Sequence, residues 1–458
     1  MAIRETVERE VKLRAAGEFK LPELGGEAIE PRLFVSTYHD SADHRLARRG
    51  ITLRHRVENG RGLWQLKLPQ GRARLELEAA GAPGSPPDDL LELLVGHLRQ
   101  APLLPIARLR TRREGVRAGG AEIVHDTVAV LDHQRVTRSF EELEVELLDG
   151  DEKTLRRIEK ALRRAGAADG ENRPKVFQAL DLDFHAEPVG GPEDASSAAT
   201  LRARIREQAE RVLAHDPGTR LGTDSEELHQ MRVATRRLRA FLRAGSELLD
   251  PEWAEPVREE LKWLGGVLGP VRDLDVLTEH LTPEIESLGD DRAHGRKLLR
   301  TLERYRRTAR RKLIAALGSD RYFALLDTLE QPVATIAEAP TLEEIRVAEH
   351  QRLRKAVQEL DDASPDEELH AARIKVKRAR YAAELSGRAE YVKAAKVLQD
   401  VLGEHQDSVV ATEQLRDLAK RMPDTALAAG RLIEREHARG VRGRDEWRPA
   451  WKKLTKTA

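Results

Sequence analysis

The chain has 458 residues, enough for two or three domains at the usual ~100–200 residues each. Its 79 Lys and Arg equal its 79 Asp and Glu, so no bulk field draws it onto nucleic acid or membrane, and any anion site must be local. Cys is absent, which excludes disulfides, thiolate metal sites and Cys nucleophiles and agrees with a reducing cytoplasm.

The opening MAIRETVEREVKL carries charges where a signal peptide needs an apolar run, and no stretch approaches ~20 apolar residues. A soluble cytoplasmic protein with no membrane partner is expected. From residue 1 to 183, short runs such as VEREVKL, ITLRHRV, LWQLKL, RLELEA, AEIVHDTVAVL and FEELEVELL alternate polar and apolar residues between Gly and Pro breaks. That alternation predicts strands in an antiparallel sandwich or barrel. Two helices interrupt them, at 88–100 and 151–166; the second runs from acids to bases and ends at Gly166. Residues 184–199, rich in Pro, Gly, Ser and Ala, predict a linker. Helical spacing then dominates from 200 to 440, and the basic segment 441–458 is expected as a loosely attached tail.

The helical part is duplicated. A shift of 141 carries His229, Arg232, Arg236, Arg237 and Arg239 onto His370, Arg373, Lys377, Arg378 and Arg380. Downstream, a shift of 134 pairs Lys262 with Lys396, Gly269 with Gly403 and Asp273 with Asp407. Two repeats, about 200–335 and 341–440, are the right size for helical bundles.

On a strand, residues two apart share a face. Glu8, Glu10 and Lys12 therefore lie together, as do Arg54 and Arg56; Gln65 and Lys67; Arg108, Arg110 and Arg112; and Glu142, Glu144 and Glu146. Any one of these runs is an ordinary solvated face of a half-buried sheet. Charges sorted onto strand after strand instead suit a closed lumen of both signs, where carboxylates hold a hard cation and bases hold phosphates.

The E-x-E-x-K opening, the stretch YHDSADHRLARRGITLRHR, the later WQLKLP and ELEVELLDGDEKTL resemble a CYTH domain over roughly residues 3–183. CYTH domains belong to the triphosphate tunnel metalloenzymes. The resemblance implies an eight-stranded antiparallel β-barrel with a charged tunnel. It implies that Lys12, Arg54, Arg56, Lys67, Arg110 and a late lysine, Lys175, grip phosphates, although Lys175 follows Pro174 where such domains usually carry Ser. Glu8, Glu10, Glu144 and Glu146 would bind one or two divalent cations, Mg²⁺ or Mn²⁺, with a middle-strand acid at Asp126 or Asp132. The activity implied is hydrolysis of inorganic triphosphate or short polyphosphate. Cyclisation of ATP, hydrolysis of thiamine triphosphate, and a tunnel that only binds are the alternatives.

In LHQMRVATRRLRAFLR, His229, Arg232, Arg236, Arg239 and Arg243 fall at i, i+3, i+7, i+10 and i+14, one continuous helix face. In LHAARIKVKRARY, His370, Arg373, Lys377 and Arg380 repeat it, flanked by Lys375 and Arg378. Neither run contains an acid to relieve the repulsion, although the whole chain is balanced. Such a ladder suits a linear polyanion. Stacking aromatics are nearly absent beside it, which disfavours single-stranded nucleic acid.

The two histidine motifs resemble a CHAD domain, a conserved-histidine α-helical domain, over about residues 200–440. The resemblance implies two pseudo-symmetric bundles whose basic helices bind inorganic polyphosphate, with Lys262 and Lys396 extending the surface. A location in the cytoplasm with polyphosphate granules follows from it. The fold expected is multidomain α+β, a barrel followed by a duplicated helical bundle.

Overall fold

The computed structural model describes residues 3–15, 19, 21–22, 24–71, 73–170, 173–182, 196–361 and 364–458. The chain forms two compact units, Met1–Ala186 and Glu187–Ala458, the first α+β and the second helical. Of the expected linker, residues 184–195 lie outside the described residues, while Ser196 already caps a helix, accepting from Ala199 N.

In the first unit the described strands are β1 (Arg4–Glu8), β2 (Glu10–Ala15), β3 (Glu27–Asp40), β4 (Thr52–Glu58), β5 (Arg61–Gln70), β6 (Ala73–Ala80), β7 (Leu104–Ala118), β8 (Ala121–Asp132), β9 (Arg135–Leu147) and β10 (Ala167–Asp169). Helices α1 (Asp88–Leu98), α2 (Glu152–Arg164) and α3 (Lys175–Leu180) complete it. The strands make one antiparallel sheet in the order β1-β6-β5-β4-β3-β7-β8-β9-β2-β10.

This corrects the expected closed eight-stranded barrel. The first segment is broken at Arg9: β1 pairs with β6, setting Glu8 opposite Arg74, whereas β2 pairs with β9, setting Glu10 opposite Glu146. One stretch of chain thus serves both ends of the ladder, and the hydrogen bonds do not run continuously round. The sheet still curls on itself, because neighbouring residues of this segment reach opposite sides of it.

The apolar packing lies mainly outside the curl. Leu13, Ile123, Leu143 and Val145 face Leu155, Ile158 and Leu162 of α2, which are spaced for one helix stripe. Asp151 caps that helix, accepting from the Lys153 and Thr154 amides at 3.0 Å. A second apolar cluster joins Tyr38, Leu109 and Val128 of the strands to Val176 and Phe177 of α3, so this short helix stoppers one end of the lumen.

The second unit comprises α4 (Ser197–Ala214), α5 (Asp216–Leu221), α6 (Ser225–Ala244), α7 (Pro251–Glu286), α8 (Arg292–Leu317), α9 (Asp320–Glu330), α10 (Leu342–Gln358), α11 (Asp366–Leu385), α12 (Ala389–Arg421) and α13 (Ala426–Thr455). The duplicated pairs are α6–α7 and α11–α12. Basic helices α6 and α11 pack directly on each other, with Phe241 edge-on to Tyr381 at 6.4 Å. No helix among the described residues is long and apolar enough to cross a membrane.

The basic C-terminal segment is not a loose tail. It continues α13, whose Trp447, Ala450 and Leu454 are buried with Leu353, Val376, Tyr391 and Leu398. Gly443 lets α13 approach α12 closely, since a Cβ there would stand 3.1 Å from His405 N. Trp447→Ala is therefore expected to destabilise the second unit by about 3–5 kcal/mol, measured by thermal unfolding of the full chain. A loosely attached tail would leave the melt unchanged.

Candidate functional sites

In the first unit, strand alternation places Glu8, Glu10, Lys12, Arg54, Arg56, Gln65, Lys67, Asp126, Glu144 and Glu146 on the inner face. They form a network rather than a solvated surface. Lys67 Nζ lies 2.6 Å from Glu8 and 3.7 Å from Glu76. Lys12 Nζ lies 3.2 Å from Glu144, 3.3 Å from Glu142 and 3.9 Å from Glu10. Arg54 donates to Gln65 Oε1 at 2.8 Å and to Tyr38 Oη at 3.2 Å, and Arg56 pairs with Glu58 over the Phe34 ring.

Arg110 is not part of this network; it is exposed on the outer face. The inward arginine of β7 is Arg113, which holds Asp126 with both nitrogens at 2.8 and 2.7 Å and reaches Glu144 at 2.7 Å. Burial of Leu109 in the stoppered end sets the phase of β7, carrying Thr111 and Arg113 inward and Arg108, Arg110 and Arg112 outward. Asp126 is fully buried, whereas Asp132 is exposed at a hairpin end. Lys175, aimed inward by α3, pairs with Asp126 at 3.1 Å, Glu142 at 2.6 Å and Glu144.

Burial works against every charge here, and the neighbours decide the outcome. It lowers the Lys12 and Lys175 ammonium groups, but Glu144 and its fellow acids more than restore both, leaving each above its ordinary value. Glu144 is held well below the usual carboxylate range against burial, by Lys175, Lys12 and Arg113. Glu146 is pushed up to about 7, first by burial and then by Glu8, with Glu76 adding to it.

That crowding bears on a divalent cation. Glu10 and Glu146 face each other where negative charge is under-compensated, which fits Mg²⁺ or Mn²⁺ by chemistry. Glu8 would join them on giving up Lys67, which stands 2.7 and 2.6 Å from its two oxygens. Glu144 and Asp126 do not fit that role, because Arg113 and Lys175 already occupy their oxygens. Among the described residues no three acidic or histidine side chains converge as a ready metal cage.

In the second unit a cavity of about 650 Å³ opens between the duplicated helix pairs. Arg232, Arg236, Arg239, Lys262, His370, Arg373 and Lys377 line it, and α6, α7 and α11 contribute them. Gly269 and Gly403, at matched positions, leave room for Arg232 and Arg373 to lie on the neighbouring helix; a Cβ at Gly403 would stand 3.2 Å from the Arg373 guanidinium. Lys377 is lowered to about 8, first by burial and then by Arg373, Arg236 and Arg232.

Other residues of the two stripes do not reach the cavity. Arg237 and Arg380 converge on Glu384, at 3.1 and 2.8 Å, so they join the repeats rather than face a ligand. Arg243 and Lys396 are exposed elsewhere, and His229, Lys375 and Arg378 are half-buried outside the lining. Sequence reasoning missed Asp273, Asp407, Gln406, His280 and Arg439, which complete the wall. The pairing of Asp273 with Asp407 was visible in the repeat; nothing local marked His280 or Arg439, which meet at Glu436 with 2.6 Å contacts.

Comparison with known proteins gives the same division. Residues 6–172 match the CYTH domain and residues 203–416 the CHAD domain. Two uncharacterised Mycobacterium tuberculosis proteins, from two strains, are each 32% identical over 462 residues, covering 92% of this chain and 90% of theirs. Among solved structures, PptA from Streptomyces chartreusis is 25% identical over 56% of this chain and 100% of its own, with a TM-score of 0.49. The CHAD domain from the plant Ricinus communis is 27% identical over 59% of this chain and 96% of its own, at 0.48. A Hippeastrum adenylyl cyclase-type protein with a dominant triphosphatase activity is 16% identical over 40% of this chain and 100% of its own, at 0.26. With both domain matches in one chain and full-length relatives at that identity, the protein belongs to the family that joins a CYTH domain to a CHAD domain.

Proposed function

We propose that the N-terminal unit hydrolyses the terminal phosphoanhydride of inorganic triphosphate or short polyphosphate, and that the C-terminal unit binds inorganic polyphosphate. The observation that carries the reading is a lumen lined by both signs of charge. Glu8, Glu10 and Glu146 gather at one part of it, while Arg54, Arg56, Lys67 and Lys12 stand beside them as phosphate partners. Among the described residues the aromatic rings beside them, Phe34 and Tyr38, are taken up by Arg56 and Arg54, which favours an inorganic substrate over a nucleotide.

Water attacks the terminal phosphorus, the bridging P–O bond breaks, and diphosphate leaves as orthophosphate forms. A divalent cation held by Glu8, Glu10 and Glu146 would polarise phosphoryl oxygens and offset their charge. The chain's own contribution is positional: the Arg54 and Arg56 forks fix the chain of phosphates, and Lys12 and Lys67 stabilise charge developing in the transition state. Joining a binding unit to a cutting unit raises the local concentration of the shared polymer. Residence in the cytoplasm with polyphosphate granules is part of this reading.

Tripolyphosphate with Mg²⁺ or Mn²⁺ is the direct substrate test. Phosphate release by the full chain is expected to fall by at least about 10²-fold in Glu8→Gln/Glu10→Gln. No release from tripolyphosphate, long polyphosphate or ATP would make the lumen a binding site only, a reading that the filling of Asp126 and Glu144 by Lys175 and Arg113 would then explain. Cyclic AMP formed from ATP would make it a cyclase.

A further inference from the structure

One of the places where the two copies differ borders the cavity. In α7, Gly265 and Gly266 stand where α12 carries Gln399 and Asp400 at the shift of 134. Glycine is among the poorest residues for a helix interior, so each needs a reason. Neither has a positive φ, and packing does not require them: a Cβ at Gly266 would meet nothing within 4 Å, and one at Gly265 only an Arg239 nitrogen at 3.9 Å. What the two glycines leave is open space over the helix.

That space borders two cavities. Gly266 lines the basic cavity described above and also a second one, of about 660 Å³, between α7 and α8. The second is lined by Val267, Pro270, Arg304, Tyr305, Thr308 and Lys312. Arg304, Thr308 and Lys312 lie at i, i+4 and i+8 on α8, a stripe about 12 Å long. Neither Arg304 nor Lys312 has an acidic partner among the described residues. On the near side, Arg239 lines the first cavity, and its Nε is buried without a hydrogen bond.

The other repeat closes the equivalent route. Arg380, which matches Arg239, donates to Gln399 at 3.0 Å and to Glu384 at 2.8 Å, so its fork is consumed. Asp400 adds a carboxylate where Gly266 has no side chain.

We infer that the polyphosphate site is one-sided: a long chain leaves the central cavity across Gly265 and Gly266, past Arg239, and continues along Arg304 and Lys312 on α8. The inference rests on the reading of the central cavity as a polyphosphate site and adds a direction and a second binding segment to it. Inorganic polyphosphate is the occupant favoured, because only one aromatic ring, Tyr305, lines the second cavity, too few for stacking bases.

The test converts the open side into the closed one. Gly265→Gln/Gly266→Asp in the full chain, with chelator present, is expected to weaken long-chain polyphosphate binding at least about tenfold. Arg304→Ala/Lys312→Ala, which lies outside the central cavity, should weaken long-chain binding as much, while the part of tripolyphosphate binding that Arg236→Gln/Lys377→Met removes, which reports the central cavity alone, stays within about twofold. Because Gln and Asp are better helix residues than Gly, the variant should melt no lower than the wild type, which separates a blocked route from a damaged fold. Unchanged long-chain affinity would overturn the inference, as would equal loss of long and short chains, or an oligonucleotide competing as well as polyphosphate. If the wild type binds neither tripolyphosphate nor the long polymer, the cavity reading itself fails.

Discussion

Neutralising Arg236, Arg373 and Lys377 together, as Arg236→Gln/Arg373→Gln/Lys377→Met, is expected to lower affinity for long-chain polyphosphate by at least about 10³-fold, at roughly 1.5–3 kcal/mol for each charged hydrogen bond lost. The same change is expected to raise the melting temperature of the ligand-free protein. The reason is visible in the cavity: burial and three arginines lower Lys377 to about 8, and burial with Arg236 and Arg232 lowers Arg373 as well. Holding these charges together without a ligand costs stability, and removing them relieves it. A variant that binds poorly because it misfolds would show the opposite shift. The pH dependence has a definite sign. The unfolded lysine titrates near 10.5 and the folded one near 8, so between those values the unfolded chain holds more protons and stability rises with pH. That rise should vanish in Lys377→Met. Binding should weaken as pH passes upward through about 8, with proton uptake on polyphosphate addition in calorimetry. Equal affinity in wild type and triple variant would remove this cavity as the polyphosphate site.

Lys175→Met carries the largest expected effect on the first unit. Its ammonium is the shared partner of Asp126, Glu142 and Glu144, all nearly or fully buried. Removing one partner from a buried ion pair leaves uncompensated charge and costs about 3–5 kcal/mol. Arg113 and Lys12 remain beside the same acids, Arg113 on Asp126 and Glu144 and Lys12 on Glu142 and Glu144, so three buried carboxylates would be left to share two cations. The loss should appear as faster amide exchange in β8 and β9 and altered emission from Trp64, the one Trp of this unit. It should shrink when Glu142→Gln is added, because that removes one of the orphaned charges. Stability unchanged in the single variant would show that Lys175 is poised for an incoming anion rather than built into the folded network.

Much of the candidate site in the first unit was legible because strand alternation is a local property. Glu8, Glu10 and Lys12 share a face whatever the tertiary fold, and so do Arg54 with Arg56 and Gln65 with Lys67. The arginine of β7 was not legible. The run RLRTRR carries Arg on both faces, and only the burial of Leu109 against α3 chooses Arg113 over Arg110. The split at Arg9 was hidden for a related reason: serving both ends of a curled sheet is a long-range matter that a seven-residue motif does not record.

In the second unit, helical spacing and repetition by themselves determined that two basic faces exist and that they are copies. Spacing also held the clue to α13, with Trp447, Ala450, Trp451 and Leu454 on one stripe, but the surrounding charges and Pro449 obscured it. Only the tertiary structure decided which bases face the cavity. Arg239 and Arg380 are equivalent in sequence, yet the first lies beside Gly265 and lines the cavity, while the second is held by Gln399 and Glu384. A charge's availability depends on what packs against it, and those neighbours come from other helices, distant in the chain.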